Sequence, residues 1–130
     1  MRRGRVLVVD DDRRIVETLC EILALHGWEP IAGYDGEAAV VLACKHEVDT
    51  VLLDVRMPRM SGVEAWREIR EERPNARSVF MTAHDTRDVV TEVGCLGVAG
   101  VLRKPLDVAE LVAVLDGVER ERDESPEECR

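Results

Sequence analysis

Val6-Leu7-Val8-Val9-Asp10-Asp11-Asp12 decides how this chain is read: four apolar residues in a row, then three carboxylates. A short unbroken apolar run is how a strand buried on both faces of a parallel sheet reads. Acids at its carboxyl end stand where open α/β sheets bind their ligands. Working outward from this first strand, Val6–Asp10, four more runs suggest strands: Trp28–Gly33, Thr50–Asp54, Ser78–Thr82 and Val98–Arg103. Trp28–Gly33 is the least apolar of them and is expected at a sheet edge.

Helical spacing fills the intervals. Ile15, Leu19, Ile22 and Leu23 recur between Arg13 and His26, and Gly27 supplies a stop. Asp35 caps a stretch to Lys45 carrying Ala38, Ala39 and Leu42. Ser61-Gly62-Val63-Glu64 has the form of a capping box, with Val63, Trp66 and Ile69 on one face and Pro74 as terminator. Asp85 opens a helix to Gly97 with Val89, Val90, Val93 and Leu96. Asp107-Val108-Ala109-Glu110 is a second box, ahead of a stripe of Val108, Leu111, Val112, Leu115 and Val118. Strict strand–helix alternation with right-handed crossovers predicts a doubly wound α/β fold: a five-stranded parallel sheet between two helical layers.

The chain has 130 residues, enough for one domain with a sizeable core and no need of disulfides or metal to hold it. A domain over residues 1–120 is expected, with 121–130 as a charged tail or linker stub. Cys20, Cys44 and Cys95 read as small core or helix residues; with Cys129 they form no CxxC pattern that would suggest zinc or redox chemistry. The net charge of -9 opposes nonspecific binding to nucleic acid or anionic membrane. Aromatic residues make up 3%, too few for a base-stacking platform. No apolar run approaches the ~18 residues of a membrane span, and Val6–Val9 is too short for a signal peptide, so a cytoplasmic protein is expected.

The chemistry collects at the strand ends. The first strand ends in Asp10-Asp11-Asp12, the third in Asp54, the fourth in Thr82-Ala83, and the fifth in Arg103-Lys104-Pro105. Crowded carboxylates repel one another and hold a hard divalent cation through oxygen, which suits Mg²⁺. One carboxylate can then attack a phosphoryl group, while a cation, a lysine and a hydroxyl satisfy its oxygens. Each residue also has a plain structural use: Asp12 as a helix cap, Asp54 at a turn before Pro58, Thr82 bonded to backbone, Lys104 in solvent. Four such uses would have to coincide at four strand ends.

With Val8-Val9-Asp10-Asp11-Asp12, Leu53-Asp54-Val55-Arg56-Met57-Pro58 followed by Ser61-Gly62, Met81-Thr82-Ala83, and Lys104-Pro105-Leu106, residues 4–120 resemble the receiver domain of two-component response regulators, of the chemotaxis-receiver type. The resemblance implies the flavodoxin-like (βα)5 sandwich with strand order 2-1-3-4-5. It implies that Asp54 accepts a phosphoryl group from a sensor histidine kinase or phosphotransfer protein. Asp10 and Asp11 would hold Mg²⁺ together with Asp54 and the backbone carbonyl of Arg56, Asp11 being favoured over Asp10 as a direct ligand. Thr82 corresponds to the switch hydroxyl, Lys104 to the lysine that pairs with the phosphoryl oxygens, and Pro105 to a proline often joined by a cis peptide. The chain would then be a switch rather than an enzyme. A homodimer through the face formed by residues 85–118 is a further expectation. The protein would be either a stand-alone receiver or part of a longer regulator.

Two positions depart from the pattern. Many receivers carry Tyr or Phe three residues before the lysine; here Val101 stands there. Arg56 and His84, two residues beyond Asp54 and Thr82, are bulky, basic and expected to flank the acceptor. Other functions fit less well. A haloacid-dehalogenase-type phosphatase needs a second Asp two residues past its nucleophile, where this chain has Arg56. A flavodoxin-like carrier needs a phosphate loop where Asp10–Asp12 would repel the phosphate. A receiver-like scaffold without phosphorylation would have no use for the full set of Asp10, Asp11, Asp54, Thr82 and Lys104.

Overall fold

The computed structural model describes residues 4–93 and 96–124, the last four by backbone only. Five parallel strands, β1 (Arg5–Val9), β2 (Glu29–Gly33), β3 (Thr50–Asp54), β4 (Arg77–Thr82) and β5 (Val98–Arg103), lie in the order β2-β1-β3-β4-β5. Helices α1 (Arg13–Leu25), α2 (Gly36–Lys45), α3 (Gly62–Glu72), α4 (Thr86–Val93) and α5 (Val108–Glu124) alternate with them. This is the doubly wound sandwich expected from the sequence, with β2 at an edge.

The strand pleat splits the core into two layers. Leu7, Val9, Val51, Leu53 and Phe80 point to one face, against Ala39 and Ala43 of α2, Trp66 and Ile69 of α3, and Val89 and Val93 of α4. Val6, Val8, Leu52, Val79, Met81 and Leu102 point to the other, against Val16, Leu19 and Leu23 of α1 and Leu111, Leu115 and Val118 of α5. The central strands, fully buried on both faces, have no polar face, and this is why they read as continuous apolar runs.

The helix termini are set by the residues the sequence pointed to. The Asp12 side chain accepts the Arg14 N–H (3.0 Å), and Asp35 accepts that of Ala38 (2.7 Å). Ser61 and Glu64 make both halves of a capping box. The Asp107 carboxylate accepts the Glu110 N–H (3.2 Å). Gly27 takes φ 92°, the left-handed turn that ends α1.

Several expectations need correction. In α1 the residue facing the sheet between Leu19 and the strand ends is Val16 rather than Ile15, and Ile15 and Ile22 lie at the margin of the buried stripe. In α4 the described helix stops at Val93, and Val90 is 56% exposed, because only Val89 and Val93 face the sheet. Val108 is also exposed. Helix α5 runs to Glu124, into the charged stretch that follows Glu119. Glu and Arg are strong helix formers and extend a helix already nucleated upstream without needing an apolar face. Cys20 is half-buried and Cys44 exposed, whereas Cys95 and Cys129 lie outside the described residues.

Candidate functional site

Parallel pairing brings the strand ends to one rim. Val9 is in register with Leu53, Asp54 with Met81, and Thr82 with Arg103. Asp10 follows β1, Asp54 closes β3, Thr82 closes β4 and Lys104 follows β5. The Lys104 N–H donates to the Thr82 carbonyl (2.8 Å), which carries the ladder one step past β5 and turns the lysine onto the rim.

The lysine ammonium reaches Asp10 Oδ2 at 2.6 Å and Asp54 Oδ2 at 3.4 Å. Asp10 is 1% exposed and Asp54 7%. The other Asp10 oxygen, Oδ1, accepts the Asp12 N–H (2.9 Å). Asp54 Oδ1 faces the Arg56 N–H at 3.4 Å. Asp11 is exposed beside them, and Asp10, Asp11 and Asp54 can each bring one oxygen within 4.8 Å of the others. With both Asp10 oxygens engaged, Asp11 offers the least committed carboxylate of the group.

The electrostatics follow from crowding. Burial pushes the Asp54 carboxyl up, the negative charge of Asp10 adds to this, and Lys104 opposes it without reversing it. The Asp11 carboxyl is also raised, first by partial burial and then by its contact with Asp10. Burial alone would lower Lys104; its bond to Asp10 and the charges of Asp54 and Asp10 together outweigh burial, and its ammonium is held above its ordinary range. The arrangement is thus an anionic cup with one captive cation, short of positive charge and lined by hard oxygens. Such a cup suits a small divalent cation and an incoming phosphoryl group.

The family model of the response regulator receiver domain matches residues 6–116. This chain belongs to that family. It is 34% identical over 110 residues to the transcriptional regulatory protein DegU of Brevibacillus brevis, covering 83% of this chain and 47% of that protein. It is 38% identical over 114 residues to the transcriptional regulatory protein PdtaR of Mycobacterium tuberculosis, covering 86% and 55%. The chain therefore spans about half the length of these curated relatives. The chemotaxis protein CheY4 of Vibrio cholerae superposes with a TM-score of 0.83 at 28% identity, over 88% of this chain and 98% of that one.

Within this receiver, the loop after β3 is built by close packing. A Cβ on Gly62 would collide with the Asp54 carbonyl oxygen, and the Gly62 N–H donates to the Val55 carbonyl (2.9 Å). Only glycine lets α3 begin this near the end of β3. The Lys104–Pro105 peptide is cis. Thr82 is 1% exposed, and its hydroxyl oxygen accepts the His84 N–H (2.9 Å). His84 and Arg56 are both exposed. The Arg56 side chain extends toward α4, where its guanidinium lies 3.9 Å from Glu92 Oε1. Val101 is half-buried and lines a cleft under α4.

Three features escaped the sequence reading. Arg59 sits in the loop after β3 at φ 70° and reaches Asp35 Oδ2 at 3.4 Å, tying that loop to the start of α2. Arg73 donates to the carbonyl of Ala43 (2.9 Å) and of Cys44 (3.3 Å) and so closes the C-terminus of α2. An apolar groove of about 350 Å³ opens beside Lys104, between Ile15, Leu19 and Ile22 of α1 and Leu106, Val108 and Leu111. Ile15 and Ile22, unexpected at the margin of the core, line this groove. Two apolar residues flanking an apolar stripe were the available signal.

Proposed function

We propose that Asp54 is the phosphoacceptor of this receiver and that residues 1–120 act as a phosphorylation-dependent switch, with 121–130 as a tail or linker. The supporting observation is the position of the Asp54 carboxylate, buried, raised in pKa and flanked by both a lysine ammonium and a second buried carboxylate. A carboxylate oxygen of Asp54 attacks the phosphorus of a phosphohistidine; the O–P bond forms as the N–P bond breaks, and the imidazole leaves with a proton from solvent. Lys104 leaves its contact with Asp54 for the new phosphoryl oxygens, and the Thr82 hydroxyl turns to a third.

Asp10, Asp11, Asp54 and the Arg56 carbonyl would hold Mg²⁺. The converging oxygen donors fit a hard cation. When bound, Mg²⁺ supplies neutralisation of the phosphoryl charge. The chain itself turns over no substrate and is a signalling module, not an enzyme. Its phosphodonor is a sensor histidine kinase or phosphotransfer protein, for which the groove beside Lys104 offers apolar surface to bury. The protein works in the cytoplasm, and this domain binds neither nucleic acid nor membrane. Among the described residues no helix is long and apolar enough to cross a membrane.

The face formed by residues 85–118 is the output surface and, when phosphorylated, the contact of a symmetric dimer. It carries Asp88, Glu92, Asp107 and Glu110 alongside Arg87 and Arg103, a mixture of charges that can pair across a two-fold axis. Incubation with acetyl phosphate and Mg²⁺ tests the acceptor: one hydroxylamine-labile phosphoryl adduct is expected, and none in Asp54→Asn. A non-phosphorylated scaffold gives no adduct. Sedimentation with and without beryllofluoride tests the dimer, which a monomer in both states would contradict.

A further inference from the structure

Helix α4 is lightly held. Over its described residues, Thr86–Val93, it buries Val89 and Val93 alone. On its β5 side a cleft of about 370 Å³ lies between Thr86, Val90 and Val93 and the strand residues Val98, Gly100 and Val101. Val101, on the α4 face of the strand, stands where many receivers place a ring, so the cleft leaves the helix room to move toward the strand. On its other flank is Glu92, roughly half a turn around the helix from Val90. Glu92 meets Arg56 of the acceptor loop at 3.9 Å. Arg87, the one cation in the described residues of α4, is turned onto Asp85 (2.8 Å) just ahead of the helix.

We propose that Arg56 is a positioning residue for α4. Paired with Glu92, it tethers the helix in the unphosphorylated state; charge gained at Asp54 draws the guanidinium back and releases the helix toward the cleft. This rests on Asp54 being the acceptor. The Arg56 N–H already lies 3.4 Å from Asp54 Oδ1, so the side chain is rooted at the reacting carboxylate. An acyl phosphate roughly doubles the negative charge there and offers the planar guanidinium several oxygens. The competing pair is exposed, with the Arg56 and Glu92 side chains 64% and 42% accessible. A pair of this kind stabilises contact by only about 1.4- to 5-fold, a margin that a doubled charge can overturn. The inward rotation of an aromatic ring is unavailable to this chain, and the ion pair gives its acceptor loop a direct mechanical link to the output face.

Amide hydrogen exchange at Val89, Val90 and Val93, followed by NMR on the whole chain with Mg²⁺, tests the tether. Without a phosphoryl mimic, Glu92→Gln is expected to speed exchange in α4 by about 1.4- to 5-fold. Arg56→Gln does the same, and the double variant goes no further. Removing a negative charge from the last turn of a helix would by itself slow exchange, because the dipole disfavours an acid there; faster exchange is therefore the signature of a lost contact. Beryllofluoride is expected to speed α4 exchange in the wild type and to add nothing in Glu92→Gln, while Glu92→Asp behaves as the wild type. Fluorine NMR of bound beryllofluoride, present in the wild type and absent in Asp54→Asn, reports the acceptor independently. Glu92→Gln exchange equal to or slower than the wild type overturns the tether whether or not the mimic binds. A full beryllofluoride response in Glu92→Gln overturns its release.

Discussion

Asp54, Asp10 and Lys104 form a coupled unit, so replacing one member changes the charge balance of the other two. Lys104 touches both carboxylates and is mostly buried, so Lys104→Met strands two buried anions. A loss of about 2 kcal/mol in the metal-free protein, the worth of a hydrogen bond to a charged group, is expected from urea unfolding, with Mg²⁺ restoring part of it. Asp54→Asn has the opposite sign: it removes the raised carboxylate and one source of repulsion, and its unfolding midpoint without metal is expected to rise by a few degrees. The pH dependence follows from the direction of the shift. A carboxyl whose pKa is raised on folding is bound to a proton more often in the native than in the unfolded state. Stability therefore falls as pH climbs from the ordinary Asp value through the raised one, and above that window the cost is complete. The stability difference between Asp54→Asn and the wild type is expected to grow across this window and then level off; a difference independent of pH would mean that Asp54 titrates normally.

At the scale of elements, the acceptor loop is the decisive piece. Gly62 is placed against the Asp54 carbonyl, and backbone cannot swing aside as a side chain would. Gly62→Ala is expected to cost about 1–3 kcal/mol and to slow phosphoryl uptake together, by displacing the residue that ends β3. Normal uptake in a destabilised Gly62→Ala would separate the loop from the site. The sequence disclosed the strands and caps well, because apolar runs, Asp12, Asp35 and Ser61-Glu64 act through neighbours a few residues away. The strand-end residues were legible for the same reason: parallel topology sends every carboxyl end to one rim. What stayed hidden depends on long-range packing. Nothing in the sequence signals that Arg59 would adopt a left-handed conformation to meet Asp35, or that Arg56 would reach Glu92. Val90 read as core because helical period marks a stripe, whereas a short helix at the sheet edge has sheet beneath only part of it.

For the whole molecule, two helical layers clamp a sheet whose polar chemistry is confined to one rim, so the rim can change charge while the core stays intact. The proposed phosphorylation of Asp54 would then act as a population shift of surface elements on a fixed frame. Mg²⁺ is expected to stabilise the fold most above the pH window of the raised carboxyls, where repulsion is complete. Asp11→Ala is expected to weaken calorimetric Mg²⁺ binding by about tenfold or more, and unchanged affinity would remove Asp11 from the metal site. The most direct test of the central claim is chemical mapping of the modified residue. The protein is treated with acetyl phosphate and Mg²⁺, the acyl phosphate is reduced with borohydride to give homoserine, and the position is read by peptide sequencing. The account predicts homoserine at position 54 alone; homoserine at position 10, 11 or 12, or at none, would contradict it.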